Sequence, residues 1–262
     1  MDTGIAEKTG LVLASSKGLG NGIARSLASE GVNVTLVGRS ENLLKESVKD
    51  INKEKKGFAK YICVDFSQPN ATEMILKHVA DQIGGVDILV NNTGGPPAGN
   101  MLSMESEKIN KQLDTILMNI IRITAGCLPH MIKRGWGRII TVTSSGAIQP
   151  IDNLAVSNIV RGALVGWSKT LSNDVAKHGI TVNTLLPGRI QTERLKELDE
   201  LAAKNTSTTR QEIMKESQKN IPVGRYGTIE EFAAVATFLS SVNASYITGS
   251  QIRCDGGLIK SV

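Results

Sequence analysis

The chain has 262 residues, a net charge of +5 and 40% hydrophobic residues. That length suits one α/β domain with both faces of its sheet covered, and the composition excludes a disordered or fibrous protein. Lys and Arg are scattered among acidic residues, and aromatic residues make up only 3% of the chain, which argues against a nucleic-acid surface. The basic balance better suits an anionic small molecule, such as a phosphorylated cofactor.

The sequence predicts neither a membrane segment nor a metal site. Apolar runs reach only about ten residues, too short to cross a bilayer, and the polar start has no signal-peptide core. We therefore expect a soluble, cytoplasmic protein. The cysteines are widely spaced without a CxxC pair, so we expect them to be reduced and mostly buried, and the histidines form no HxxxH pattern. The cysteines are Cys63, Cys127 and Cys254, and the histidines are His78, His130 and His178.

Short β-branched runs alternate with amphipathic helical stretches along the chain. Each run is continuous, as in strands buried on both faces, and the stretches between them have helical spacing. This pattern predicts a single α/β domain over residues 1–262, with a Rossmann-type, doubly wound parallel sheet of about seven strands and helices on both faces. The predicted strands are residues 11–14, 32–37, 59–64, 86–91, 137–143, 180–186 and 250–254.

Residues 190–222 interrupt this alternation. The segment is polar, charged and rich in helix formers, and it follows a strand end. Because ligands bind beyond the carboxyl ends of the strands in open α/β sheets, we expect a helical lid over a substrate. The alternative is a helical excursion on the surface.

The segment 11–24 has the order strand, tight loop, helix start. Gly18 and Gly20 remove side chains where a backbone must approach a ligand, and the amino end of the helix offers N–H groups and a positive dipole end to a phosphate. The segment therefore predicts a dinucleotide site.

The end of the second strand predicts which dinucleotide is bound. NAD-preferring proteins have an acidic residue there that bonds the adenosine ribose, whereas this chain has Gly38 and Arg39. Arg39, together with Lys17 in the glycine loop, predicts NADP(H) over NAD(H). In the alternative, Arg39 is simply solvated and Lys17 only caps the loop.

Later strand ends have the polar and small residues that such a crevice requires. Asp65 is placed to meet the adenine, and Asn91 and Gly94 are placed beside the dinucleotide. The Pro/Gly loop 95–100 is expected to form a wall of the pocket.

Six segments, in this order, resemble motifs of the short-chain dehydrogenase/reductase family, and look most like its 3-oxoacyl-acyl-carrier-protein reductases. The first, "ASSKGLG", resembles TGxxxGxG with Ala14 in place of the first glycine. The others are "NNTGG" (91–95), "GRIITVTSS" (137–145), "LLPGRIQTE" (185–193), "IPVGRYGTIEEFAAVATFLSS" (221–241) and "YITGSQIRCDGG" (246–257).

The resemblance implies hydride transfer between NADP(H) and a small carbonyl or alcohol substrate, such as a 3-oxoacyl thioester. It also implies a homotetramer or homodimer, in which long helices near residues 103–134 and 153–178 pair between subunits. The cofactor-binding residues it implies are Ser16, Lys17, Gly18, Leu19, Gly20, Arg39, Asp65, Phe66, Asn91, Gly94, Pro187, Gly188, Ile190 and Thr192.

The catalytic positions of the family are changed in this chain. The family serine corresponds to Ser144, with Ser145 as its neighbour. The positions of the family's acid/base tyrosine and of its lysine hold Ser157 and Arg161. The position of its asparagine holds Ile116, with Asn119 one helical turn later as a substitute or a coincidence.

Other tyrosines offer little compensation. Tyr61 lies in a predicted strand, Tyr246 precedes the last strand, and only Tyr226 has a plausible path to the pocket. Serine is a far weaker acid than tyrosine, and arginine stays protonated.

Three functions therefore remain open. In the first, the chain is a working NADP(H) reductase in which Ser144, Ser157 and Arg161 stabilise an alkoxide and water supplies the proton. In the second, it is a redox-inactive dinucleotide-binding sensor or subunit. In the third, Arg161, with Arg189, holds an anionic ligand for a different reaction.

Overall fold

The computed structural model describes residues 2–261, except the side chain of Ser103. Seven parallel strands form one sheet in the order β3-β2-β1-β4-β5-β6-β7, which confirms the predicted doubly wound architecture. The strands are β1 (Thr9–Val12), β2 (Asn33–Gly38), β3 (Ala59–Cys63), β4 (Ile88–Asn91), β5 (Gly137–Val142), β6 (Ile180–Pro187) and β7 (Gln251–Cys254).

Helices connect the strands. They are α1 (Gly18–Ser29), α2 (Glu41–Lys53), α3 (Ala71–His78), α4 (Ser106–Gln112), α5 (Asn119–Arg134), α6 (Ala155–Val175), α7 (Glu193–Thr206), α8 (Arg210–Lys219) and α9 (Ile229–Ser240). A π-helical segment, Leu113–Met118, joins α4 to α5, and a second, Val79–Ile83, follows α3. The segment predicted as helical at 190–222 thus contains α7 and α8.

The core consists of two apolar layers, one on each face of the sheet. On one face, α1, α2 and α9 pack against the strands through residues such as Leu27, Leu44 and Phe232. On the other face, α3, α5 and α6 pack through residues such as Ile75 and Ile123. The sheet is therefore covered on both sides, as a parallel sheet requires.

The two edge strands differ from the expectation of burial on both faces. In β3 only Ala59 and Ile62 are buried, and β7 is partly exposed along its whole length. An edge strand has a neighbour on one side only, so its side chains are less completely covered. Cys63, at the end of β3, is accordingly exposed and Cys254, at the end of β7, is half-buried, so among the thiols only Cys127 is fully buried as expected.

One helical stretch, Ser106–Arg134, has the length and hydropathy of a membrane span. Core helices of soluble proteins meet the same criterion. Residues of this stretch, among them Ile120 and Ile123, lie in the apolar clusters that α4 to α6 form on and beside the sheet. One face of this stretch therefore packs against the core, and 39% of its most apolar window is buried.

The order of the strands decides where a ligand crevice lies. β1 pairs with β2 on one side and with β4 on the other, so the chain reverses direction across the sheet between β1 and β4. The loops that leave the carboxyl ends of these strands separate there and open a crevice. The glycine loop, Arg39, Asp65, Gly94, Ser144 and Gly188 each follow the carboxyl end of a strand.

Candidate active site

The glycine loop after β1 is held in one conformation by close packing. A Cβ atom at Gly20 would lie 2.6 Å from the carbonyl oxygen of Ala14 and 2.7 Å from Nδ2 of Asn92, so only glycine fits. Asn92 donates a hydrogen bond of 3.1 Å to the Ala14 carbonyl. Ala14 itself has φ of +44°, a conformation that suits the glycine found at this position in the family motif.

The hydroxyl of Ser15 joins the glycine loop to the sheet by hydrogen bonds. Ser15 is fully buried. Its Oγ donates to the carbonyl of Val12 at 2.7 Å and accepts from the backbone N–H of Val37 at 3.0 Å. Asn21 donates to the Ser15 carbonyl at 3.0 Å. The sequence analysis assigned no role to Asn92, Ser15 or Asn21, although Asn92 and Ser15 lie within the family-like segments NNTGG and ASSKGLG.

The amino end of α1 is open to an anion. Lys17, the N-cap residue, has extended backbone and makes no side-chain cap, and the first turn contains no acidic residue. The N–H groups of this turn therefore have no side-chain acceptor among the described residues. Across the crevice, Thr192 Cγ2 would lie 3.9 Å from a Cβ atom at Gly18, which brings the loop after β6 opposite the glycine loop.

Arg39 and Asp65 lie near each other beyond the ends of β2 and β3. Arg39 is exposed just beyond β2. The carboxylate of Asp65 accepts a hydrogen bond of 2.9 Å from the backbone N–H of Ser67. That bond lowers the pKa of Asp65, and the positive charge of Arg39 adds to the effect.

The end of β4 combines a buried amide with an open backbone. Asn91 is fully buried and donates to Thr124 Oγ1 at 3.0 Å, so its side chain fastens β4 to α5. Beyond it, a Cβ atom at Gly94 would meet nothing within 4 Å. The backbone at Gly94 therefore faces open space into which a flat ligand can fit.

The loop after β6 is packed against the end of the sheet. A Cβ atom at Gly188 would lie 2.6 Å from Cα of Asp255, so glycine is required there too. Ile190 is buried, whereas Thr192 accepts from the backbone N–H of Leu195 and so caps α7. Pro187 ends β6 directly before this turn.

The two serines of the site come from different elements. Ser144 follows β5, and its Oγ accepts from the backbone N–H of Gly146 at 3.0 Å, which leaves its own proton available to a ligand. Ser157 is half-buried in the first turn of α6. Asn158 joins α6 to the loop after Ser144, because its amide exchanges two hydrogen bonds with the backbone of Ile151.

Arg161 lies one turn further along α6 and is 6% exposed. Its Nη1 donates to the carbonyl of Val142 at 3.1 Å, and its Nη2 donates to the carbonyl of Gly94 at 3.2 Å. The guanidinium thus bridges the ends of β5 and β4. Burial lowers the pKa of Arg161 to about 10, so the side chain is still charged at neutral pH.

The asparagine that follows the family position serves the scaffold. Asn119 accepts from Thr72 Oγ1 at 3.0 Å and donates to the carbonyl of Phe66 at 3.0 Å. These bonds occupy both ends of its amide. The position of Asn119 near that of the family asparagine is therefore a coincidence, and Asn119 does not replace the relay residue. Ile116 is buried in an apolar cluster with Val160 of α6, which removes the polar group from that position.

None of the tyrosines is placed as an acid/base catalyst. Tyr226 is 2% exposed, and its hydroxyl donates to Asp199 Oδ2 at 3.1 Å. Arg189 donates to the other oxygen of Asp199 at 2.9 Å. Burial raises the pKa of Tyr226, and the Asp199 carboxylate acts in the same direction. Tyr61 lies in edge strand β3, where its hydroxyl donates a hydrogen bond to Glu41 of α2. Tyr246 is fully exposed.

Helices α7 and α8 border a cavity of about 480 Å³ beside the glycine loop. Arg194 of α7 donates a hydrogen bond of 2.8 Å to the carbonyl of Pro96. This bond joins α7 to the Pro/Gly loop after β4. The residues that line the cavity include Gly18, Gln191, Thr192, Leu195, Met214 and Tyr226.

Comparison with known proteins matches nearly the whole chain to one family. Residues 13–259 match a family described as Enoyl-(Acyl carrier protein) reductase. The chain is 33% identical over 253 residues to the 3-oxoacyl-[acyl-carrier-protein] reductase FabG of Vibrio cholerae, covering 96% of this chain and 97% of the relative. It is 32% identical to the NADPH-dependent reductase BacG of Bacillus subtilis, covering 98% and 100%.

The structure is also similar to solved structures. L-sorbose reductase from Gluconobacter frateurii, complexed with NADPH and L-sorbose, superposes with a TM-score of 0.94 at 31% identity, covering 100% of both chains. A pig relative of 33% identity, covering 97% of this chain and 88% of the relative, is named Dehydrogenase/reductase SDR family member 4. The chain belongs to the short-chain dehydrogenase/reductase family of oxidoreductases.

Proposed function

We propose that the protein is an NADP(H)-dependent reductase of carbonyl compounds, and in the reverse direction a dehydrogenase of alcohols, with an active site of Ser144, Ser157 and Arg161. The observation that carries the proposal is the crevice at the strand ends. Its open helix amino end, the exposed Arg39 and the buried guanidinium of Arg161 lie along one edge of the sheet. Relatives of similar length that are NADPH-dependent reductases support the assignment.

The residues of the crevice fit a phosphorylated dinucleotide. The first turn of α1 would hold the pyrophosphate, because its N–H groups face no acidic residue. Arg39 and Lys17, both exposed, would hold the adenosine 2′-phosphate. The open space at Gly94 would accept the nicotinamide half.

Further residues would complete the cofactor site. Asp65 would meet the adenine, and Thr192 would close the site from the opposite side of the crevice. Contacts along the same edge complete the set with Ser16, Leu19, Gly20, Phe66, Asn91, Pro187, Gly188 and Ile190.

The chemistry would depend on electrostatic stabilisation. A bound NADPH would supply the hydride that the carbonyl carbon accepts, and water would supply the proton to the alkoxide. Ser144 and Ser157 would donate hydrogen bonds to the oxygen of the substrate, and the charge of Arg161 would stabilise the alkoxide as it forms. Helices α7 and α8 would form the lid over the substrate, held through Arg194.

A redox-inactive dinucleotide-binding protein is the second candidate. It is favoured by the position of Tyr226, whose hydroxyl is bonded to Asp199, because this position leaves the site without a tyrosine acid. Such a protein would act as a sensor or as a subunit.

A fluorescence titration with NADPH and, separately, NADH tests the proposal. We expect NADPH to bind with a Kd of about 1–10 μM and NADH to bind more weakly. A panel of carbonyl compounds then measures turnover, and Ser144→Ala should lower kcat/KM about 100-fold. Tight NADPH binding without turnover of any compound would favour the second candidate. Absence of binding by a folded protein would refute both.

A further inference from the structure

Arg161 is a buried charge without a protein counter-ion. Its two observed hydrogen bonds go to the neutral carbonyls of Val142 and Gly94. Burial lowers the pKa of Arg161, and neither of its two hydrogen bonds involves an acidic side chain of the described residues. The loops around it, 91–100 and 141–151, contain neither Asp nor Glu. Burying a cation without an anionic partner costs free energy, and a ligand that supplies the anion removes this cost.

Much of the donor capacity of this guanidinium remains free. Arginine has five N–H donors in one plane, and two of them are used by the carbonyls, which leaves three. Beside the same carbonyls, Thr93 Oγ1 and Thr143 Oγ1 are buried without a hydrogen-bond partner among the described residues. This part of the crevice therefore contains hydrogen-bonding groups that the described residues leave unpaired.

The cofactor does not supply the missing negative charge. Its phosphates belong at the amino end of α1 and at Arg39, whereas Arg161 lies beyond β4 and β5, where the nicotinamide half would lie. The ribose and nicotinamide amide of that half carry no negative charge. The remaining source is the substrate.

We infer that Arg161 binds a carboxylate of the substrate and that the substrates are oxo acids in which the carboxylate adjoins the carbonyl group. This inference rests on the proposed carbonyl reduction. In a 2-oxo acid, the carbonyl oxygen and one carboxylate oxygen can lie on the same side of the molecule. One planar guanidinium can then bond both oxygens, so Arg161 holds the substrate and faces the developing alkoxide at once.

Arg138 shows how a buried arginine is satisfied when no ligand is needed. It is 2% exposed, and it donates to the carbonyls of Ser241, Gly137 and Gly179. Its guanidinium also lies 4.5 Å from the ring centroid of Trp136. It is the second residue of β5, at the end of the sheet opposite the crevice, so it is a matched control for the loss of a buried arginine.

The test compares oxo acids with their neutral esters. Pyruvate, 2-oxobutyrate and phenylpyruvate are each titrated against the corresponding methyl ester by calorimetry, with full-length protein saturated with NADP⁺ so that no turnover occurs. We expect each acid to bind at least about tenfold more tightly than its ester. Arg161→Gln should remove this preference, Arg161→Lys should keep part of it, and Arg138→Gln should leave it intact.

Equal binding of acid and ester by the wild-type protein overturns the inference, and so does a preference that survives Arg161→Gln. If Arg161→Gln fails to fold, as judged by circular dichroism, the wild-type ratio and Arg161→Lys decide. If the dinucleotide does not bind, the proposed function fails, and the same titration of the protein alone still tests the anion site. Acid binding that Arg161→Lys weakens would then support the inference. Failure of every acid to bind up to about 10 mM would overturn it.

Discussion

Replacing Tyr226 with Phe distinguishes a structural tyrosine from a catalytic one. The substitution removes only the hydroxyl that donates to Asp199 Oδ2 at 3.1 Å. Asp199 is 1% exposed and keeps its bond of 2.9 Å from Arg189. A hydrogen bond to a charged group contributes about 1.5–3 kcal/mol. Because Arg189 still neutralises the carboxylate, we expect the free energy of unfolding to fall by about 1.5 kcal/mol.

Equilibrium unfolding in urea measures this change, with Tyr61→Phe as the matched control. The hydroxyl of Tyr61 contacts the exposed carboxylate of Glu41, so its loss should cost no more than about 0.5 kcal/mol. Turnover of a carbonyl substrate should stay within about threefold of wild type in both variants, because a lost general acid costs about 100-fold or more. A large loss of kcat in Tyr226→Phe with unchanged stability would refute the structural role.

The pH dependence of stability gives a second readout of the same contact. Burial and the Asp199 carboxylate raise the pKa of Tyr226. Because the pKa of Tyr226 is raised in the folded state, its contribution to the free energy of unfolding is fully present below the pKa that Tyr226 has in the unfolded chain. That contribution is lost as the pH rises through the folded pKa. The wild-type protein should therefore lose stability above about pH 10, and Tyr226→Phe should lose less over the same range.

Three further variants test other parts of the site. Arg39→Ala should weaken NADPH binding about tenfold and NADH binding little, in fluorescence titrations; equal weakening would remove the argument for the 2′-phosphate. Ala14→Gly should raise the free energy of unfolding by about 0.5–1 kcal/mol in urea, because Ala14 has φ of +44°. The double variant Ser157→Tyr with Arg161→Lys should gain ordinary ketoreductase activity if the pocket has lost only its acid/base pair; a folded but inactive variant would show a deeper change.

The positions of the strands and of the glycine loop could be predicted because their signals are local. A run of β-branched residues or a glycine pair before a helix specifies its own backbone conformation, whatever it packs against later. The prediction of full burial was wrong only for β3 and β7, whose place at the edges depends on the order of all the strands.

The roles of individual polar residues were harder to predict. From the sequence, Asn119 was either a substitute for the family asparagine or a coincidence, and only the structure shows that its amide is bonded to Thr72 and to the Phe66 carbonyl. Tyr226 had a path to the pocket, yet its hydroxyl is bonded to Asp199. Both partners lie far away in the chain, so no local pattern could identify them.

By itself the sequence determined the fold class, the position of the glycine loop, the cation at Arg39 and the presence of Ser157 and Arg161 where the family has tyrosine and lysine. Only the tertiary structure decided what Arg161 contacts, because Val142 and Gly94 come to it from the ends of two separate strands. The charge of a side chain is a property of the residue. Whether that charge has a partner depends on residues that folding brings together, and here folding surrounds Arg161 with neutral carbonyls at the edge where a substrate would enter.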